Sequence, residues 1–181
     1  MYGTLSFVEQ LSVWEIEMSH NHGTSPGSLE RAIAIAAAVH AGQTDKGGAP
    51  YILHPLRVMQ RLSHPVAQIA AVLHDVVEDG EGWSFDRLAE EGFSPEVIDA
   101  VRAVTKQADE EAPQGASTDE KARLYLQFVQ RAARHPIGRL VKAADLEDNL
   151  DASRLPQPLS AKDEARLARY RQALDLLRGL A

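Results

Sequence analysis

From residue 28 onward the apolar positions recur at three- and four-residue spacing, and turn-forming residues interrupt them at short intervals. No stretch alternates as a half-buried strand would. Leu29 to Ala41 carries Ile33, Ala36, Ala37 and His40 at helical spacing. Gly42 to Leu53 reads as a loop. His54-Pro55 opens a helix to Leu62, with proline at a favourable first position. Ser63-His64-Pro65 opens the next in the same way, expected to run unbroken to about Asp79. Ser84 to Glu91 and Ser94 to Gln107 are two more. A polar loop follows, then a helix from Thr118 to Arg134 and one from His135-Pro136 to about Leu150. After the linker RLPQPLS, Ser160 and Asp163 resemble a capping box for a last helix ending near Leu177. The expected architecture is an all-α helical bundle, one domain over residues 28–181. Residues 1–27 differ in character and read as an N-terminal extension, expected to be partly disordered, with Met18 an alternative start.

The most polar interruption of this pattern is LHDVVEDG, Leu73 to Gly80, which follows an apolar run directly. At about 100° per residue, Val66, Ile69, Ala70, Leu73, Val76 and Val77 share one side of a helix over 65–79. His74, Asp75, Glu78 and Asp79 share the other, with the small Ala67 and Ala71 above them, leaving room for something to dock. Carboxylates crowded in this way repel one another and resist desolvation, unless a cation sits among them. A solvated helix end is the plain alternative. A second helix weakens it. In IGRLVKAADLEDNL the stripe Gly138, Lys142, Asp145 and Asn149 runs between two apolar sides, Ile137, Leu140, Val141 and Ala144 on one and Leu146 and Leu150 on the other. Such a stripe is expected to be buried and satisfied internally, by a salt bridge or by a metal and an anionic substrate. The loop DKGGAPYILHP adds Lys46, two glycines that permit close backbone approach, and His54 at a helix start.

Composition narrows the chemistry. The chain has 181 residues, 44% hydrophobic, with no cysteine, so thiolate sites and disulfides are excluded. The net charge of −7 argues against a nucleic-acid-binding face. No apolar run suits a membrane span and no signal peptide is evident, so a cytoplasmic protein is expected. His20 and His22 lack a nearby third ligand and read as an incidental pair. His40 reads as a packing or capping residue, and His64 and His135 as helix-start residues without partners.

Taken in order, His54, then His74-Asp75, then Asp145 resembles the H…HD…D signature of HD-domain metal phosphohydrolases. GGAPYILHP, LHDVVED and VKAADLEDN resemble, more narrowly, the hydrolase domain of the RelA/SpoT homologues, over roughly Leu29 to Leu150. The Glu78-Asp79 pair and the PYILHP loop mark that subfamily against simpler HD nucleotidases. Because the chain ends soon after the motifs, it is similar to the stand-alone small alarmone hydrolases. The resemblance implies an HD-domain bundle with His54, His74, Asp75 and Asp145 as metal ligands, typically for Mn²⁺; such a set, with water positions open, suits a six-coordinate ion. It implies Glu78 and Asp79 as the catalytic pair, roughly 6 Å further along the same helix. Asn149 matches a residue near the ribose and Lys46 a lysine of the substrate loop. Lys142 and Lys106 are expected phosphate contacts.

Two departures bear on specificity. The residue before Lys46, often an arginine able to stack on the base, is Asp45 here. The usual KLADRLHN is KAADLEDN, with Leu146 and Asp148 in place of an arginine and a histidine. The expected activity is hydrolysis of the 3′-diphosphate of a (p)ppGpp-like nucleotide, releasing pyrophosphate and GDP or GTP. An adenine alarmone or a nucleoside monophosphate is the alternative substrate. A non-catalytic nucleotide sensor is the rival of another class, against which the costly acidic pair argues.

Overall fold

The structure, a computed structural model, describes residues 24–179. His20, His22, Met18 and most of the segment 1–27 lie outside them. Among the described residues the chain is helical throughout: α1 Leu29–Val39, α2 Leu53–Gln60, α3 Pro65–Leu73, α4 Val76–Asp79, α5 Phe85–Glu90, α6 Pro95–Val104, α7 Thr118–Ala133, α8 Pro136–Asn149 and α9 Ala161–Gly179, with 3₁₀ turns at Ala108–Glu110 and Ala152–Arg154. There is no strand among them, only an isolated bridge between Thr44 and Pro50. None of these helices is long and apolar enough to cross a membrane.

The helix starts follow from local chemistry. Ser28, Ser84, Ser94 and Ser117 each cap a helix by accepting a backbone N–H three residues on. Pro65, Pro95 and Pro136 occupy first turns, where a missing N–H costs nothing. His135 also caps, its Nδ1 accepting the Gly138 N–H at 3.0 Å, so this histidine has the partner that its sequence context did not suggest. Helix α6 stops at Val104, short of the expected Gln107. Thr105 turns extended and its hydroxyl donates to the Val101 carbonyl, a local bond that competes with helix continuation.

Helix α3 lies at the centre, packed on α1, α2, α6 and α8. Its Ala67, Ala70, Ala71, Val72 and Leu73 are all fully buried, and with residues of α1 and α6 they form the larger apolar cluster. A smaller cluster joins Phe128 and Val129 of α7, Leu146 of α8 and Leu174 and Leu177 of α9. Helix α8 is wedged between the two, with Val141 and Ala144 in one and Leu146 in the other. That is why its polar stripe is sealed on both sides. Leu140, expected on the apolar side, is instead 45% exposed.

The expected continuous helix over 65–79 is broken at the His-Asp pair. In an unbroken helix the Ala71 carbonyl would receive the Asp75 N–H. Here it receives His74 Nδ1 at 2.7 Å, and Asp75 takes φ −100°, ψ −5°. Ala67 and Ala71 precede this break and are fully buried, against the expectation that they leave room above the polar face. They pack into the core and do not line a site.

Candidate metal centre

Three chain segments far apart in sequence meet at the junction of α2, α3 and α8. His54 enters from the first turn of α2, His74 from the end of α3 and Asp145 from the middle of α8, and all three are buried. One ligand atom from each lies within 4.8 Å of the other two. His54 Nε2 is 3.3 Å and His74 Nε2 3.8 Å from Asp145 Oδ1. Both rings are held by their other nitrogen, His54 Nδ1 on Asp148 Oδ2 at 2.8 Å and His74 Nδ1 on the Ala71 carbonyl. With Nδ1 donating, each neutral ring turns an Nε2 lone pair toward the same carboxylate. This donor set fits a divalent cation held by nitrogen and oxygen, with the outer hydrogen bonds such sites use.

Asp75 stands beside this group. Its Oδ2 is 3.1 Å from His74 Nε2 and accepts the Tyr51 hydroxyl at 2.5 Å. Tyr51 was not anticipated from the sequence; the signal was its place three residues before His54 in PYILHP. Glu78 and Asp79 form their own single turn, α4, and both side chains reach solvent. Glu78 accepts the Lys106 N–H at 2.7 Å, with Lys106 Nζ at 3.5 Å.

The charges of the buried groups follow from these contacts. Burial alone would lower the His54 imidazole, but the hydrogen bonds it donates to Asp145 and Asp148 outweigh it and raise the group to about 9. His74 is likewise raised, by Asp75 against burial. Burial would push the Asp145 carboxyl up, yet the Lys142 ammonium, 2.8 Å away, holds it well below the usual carboxylate range. Asp75 is held low against burial by His74. Asp79 moves the other way, raised by burial and then by the Asp75 charge.

Above the cluster opens a cavity of about 310 Å³. His54, His74, Asp75 and Asp145 lie at it, together with Glu78, Lys46, Lys106, Lys142 and Asn149; Asp79 is not among its lining residues. Lys142 Nζ is committed to Asp145 and sits over the Phe128 ring at 4.7 Å, so its first role is to balance the buried carboxylate. Asn149 Nδ2 donates to Asp145 Oδ1 at 2.5 Å. Burial and Arg166 lower the Lys46 ammonium. The structure adds cations that the sequence pattern did not single out, Arg154 from the 3₁₀ turn and Arg166 from α9, and the rings of Tyr125 and Tyr170. Gly47 and Gly48 serve the loop itself. Gly48 has φ +85°, and a Cβ on Gly47 would stand 2.2 Å from the Arg154 carbonyl.

Residues 32–172 match the family described as HD domain. The chain is 33% identical, over 84% of its length, to a probable GTP pyrophosphokinase of Mycobacterium leprae. It is 34% identical, over 86%, to a probable guanosine-3′,5′-bis(diphosphate) 3′-pyrophosphohydrolase of Synechocystis. A protein of the latter description from Aquifex aeolicus is 32% identical over 67% of the chain. The chain spans a fifth or less of the length of these curated relatives, 19%, 20% and 17% respectively. The likeness is to RelA/SpoT-type proteins in general and does not single out their stand-alone members.

Proposed function

The chain belongs to the HD-domain family, and from that membership we propose that it is a metal-dependent phosphohydrolase that removes the 3′-diphosphate of (p)ppGpp-like nucleotides as pyrophosphate. The observation that carries this reading is the His54, His74 and Asp145 cluster at a cavity that Lys46, Lys106, Arg154 and Arg166 also line. The relatives named as guanosine-3′,5′-bis(diphosphate) 3′-pyrophosphohydrolases support the substrate class.

In this reading His54, His74 and Asp145, with Asp75 as a fourth group, hold a divalent cation, Mn²⁺ by preference. When bound, such an ion supplies Lewis acidity at a phosphate oxygen and lowers the pKa of water. The protein does the rest. Lys46, Lys106, Arg154 and Arg166 offset the phosphate charge that a chain of net charge −7 would otherwise repel. Glu78 lines the cavity and accepts the Lys106 backbone N–H, and in this reading it takes a proton from the attacking water. Asp79, the second acid of the pair, follows Glu78 on α4 and in this reading serves the leaving 3′ oxygen from outside the cavity lining. Asn149, tied to Asp145, is the group for the ribose.

The test is incubation of the protein with Mn²⁺ and a panel of guanine and adenine 3′-diphosphates and simple nucleoside monophosphates, with products identified by chromatography. Release of pyrophosphate from a 3′-diphosphate is the expected result. Orthophosphate release from monophosphates alone would move the assignment to a nucleotidase, and tight binding without turnover would make the protein a sensor.

A further inference from the structure

Asp148 lies off the polar stripe of α8, and the reading above gives it no part. Yet its side chain is only 1% exposed and is among the largest fully buried ones. A buried carboxylate is tolerated only when paired and hydrogen-bonded. Asp148 is paired with three side chains, two from α2 and one from the turn that follows α8. His54 Nδ1 donates to its Oδ2 at 2.8 Å. Arg57 donates Nε to Oδ1 at 2.9 Å and Nη2 to Oδ2 at 3.2 Å. Arg154 Nη2 donates to Oδ2 at 3.1 Å and also to the Asp148 carbonyl.

Both arginines reach a second carboxylate. Arg154 Nη1 lies 3.6 Å and Arg57 Nη2 4.0 Å from Asp45 Oδ2. Asp45 uses its other oxygen to fix the loop before α2, accepting the N–H groups of Gly47 at 2.9 Å and Ala49 at 3.0 Å. The chain of contacts thus runs from a metal-site imidazole, through Asp148 and Arg154, to the loop that carries Lys46 into the cavity. Asp45 and Asp148 are two of the positions at which this chain departs from the RelA/SpoT pattern toward an acid, and in the structure they grip the same guanidinium.

We propose that Asp148 is a positioning residue that fixes the orientation and tautomer of His54 and, through Arg154 shared with Asp45, makes the metal site and the substrate loop one mechanical unit. The carboxylate on Nδ1–H leaves Nε2 as the only ligating nitrogen and makes it more basic, as outer partners of metal-bound histidines do. The Arg154 bridge keeps the loop at a fixed height over that nitrogen. The inference rests on the reading of His54 as a metal ligand.

Two measurements on the metal-free full chain test it without relying on turnover. The first is Mn²⁺ titration by calorimetry of the parent, H54A, D148N and R154Q. D148N, nearly the same shape, should bind Mn²⁺ about 10–100-fold more weakly, and R154Q should bind close to the parent. The second is amide hydrogen exchange at Gly47 and Ala49, which should quicken in both D148N and R154Q. If the parent fails to bind, or H54A binds as the parent does, the metal-site reading falls and this proposal with it. If H54A loses Mn²⁺ while D148N keeps it, the positioning role alone is overturned. Should D148N not fold by circular dichroism, R154Q still decides the coupling: unchanged exchange at Gly47 and Ala49 refutes it.

Discussion

His54 shows how one buried imbalance sets a pH dependence. Its imidazole is raised from 6.5 to about 9 by Asp145 and Asp148. A group with a raised folded pKa gives stability that is full below the unfolded value and lost as pH rises through the folded one. The metal-free protein should therefore lose stability between about pH 6.5 and 9, read as a falling Tm in EDTA. Cation binding needs the neutral ring, so the two effects have opposite sign. Apparent Mn²⁺ affinity should climb across the same window, with proton release visible as a buffer-dependent calorimetric enthalpy. A flat affinity from pH 6.5 to 9 would show that His54 is not a ligand. The neighbouring carboxylates make a separate prediction. Glu78→Gln and Asp79→Asn keep shape and remove proton transfer, so each should lower kcat by about 10²–10⁴-fold with Mn²⁺ content unchanged. Loss of Mn²⁺ in both would assign the pair to the coordination shell, and full turnover in both would leave them a solvated helix end.

At the scale of elements, α8 shows what a sequence pattern conveys and α3–α4 what it does not. The Lys142, Asp145 and Asn149 stripe was legible because α8 is an unbroken helix with an apolar cluster on each flank, so periodicity alone places its faces. The wheel through 65–79 brought His74, Asp75 and Glu78 to one cavity, but it took the helix as unbroken, whereas the His74 side chain takes the Ala71 carbonyl and the acidic pair follows on a separate turn. No spacing rule registers a hydrogen bond of that kind. Tyr51, Asp148 and Arg154 escaped for another reason. Their partners come from segments brought together only by packing, of α2 on α3 for Tyr51, of α2 on α8 for Asp148, and of the loop 44–50 on the turn 152–154 for Arg154. The close approach of α8 to α6 gives a test at this scale. A Cβ on Gly138 would stand 2.8 Å from the Ala103 Cβ and 3.1 Å from the Ala132 carbonyl. Helix propensity favours valine over glycine by only about a few tenths of a kcal/mol, and valine at this site forces the helices apart. Gly138→Val should destabilise the protein by roughly 1–3 kcal/mol in urea unfolding. A gain in stability would mean that propensity outweighs the contact and that the two helices can separate freely.

For the molecule as a whole, the metal site is the point where α2, α3 and α8 converge and where the larger cluster ends against polar groups. A ligand that binds only the folded chain stabilises it by mass action, by about 2.7 kcal/mol at a hundredfold excess over Kd. For a domain of this size that corresponds to a rise in Tm of roughly 5–10 °C. Removing Asp145 is the direct way to abolish that rise, but two effects are mixed in the substitution. Lys142 is 7% exposed and its ammonium is paired to Asp145 at 2.8 Å. Taking away one partner of a buried pair leaves the other charge uncompensated, at a cost of about 3–5 kcal/mol. Asp145→Ala should therefore melt well below the parent even in EDTA, where no cation contributes. A lower Tm by itself says nothing about metal. The informative quantity is the difference between saturating Mn²⁺ and EDTA for each protein. That difference should be large in the parent and close to zero in Asp145→Ala. An equal shift in both would place the stabilising cation elsewhere on the chain, and Asp145 would then be an acid kept only to neutralise Lys142.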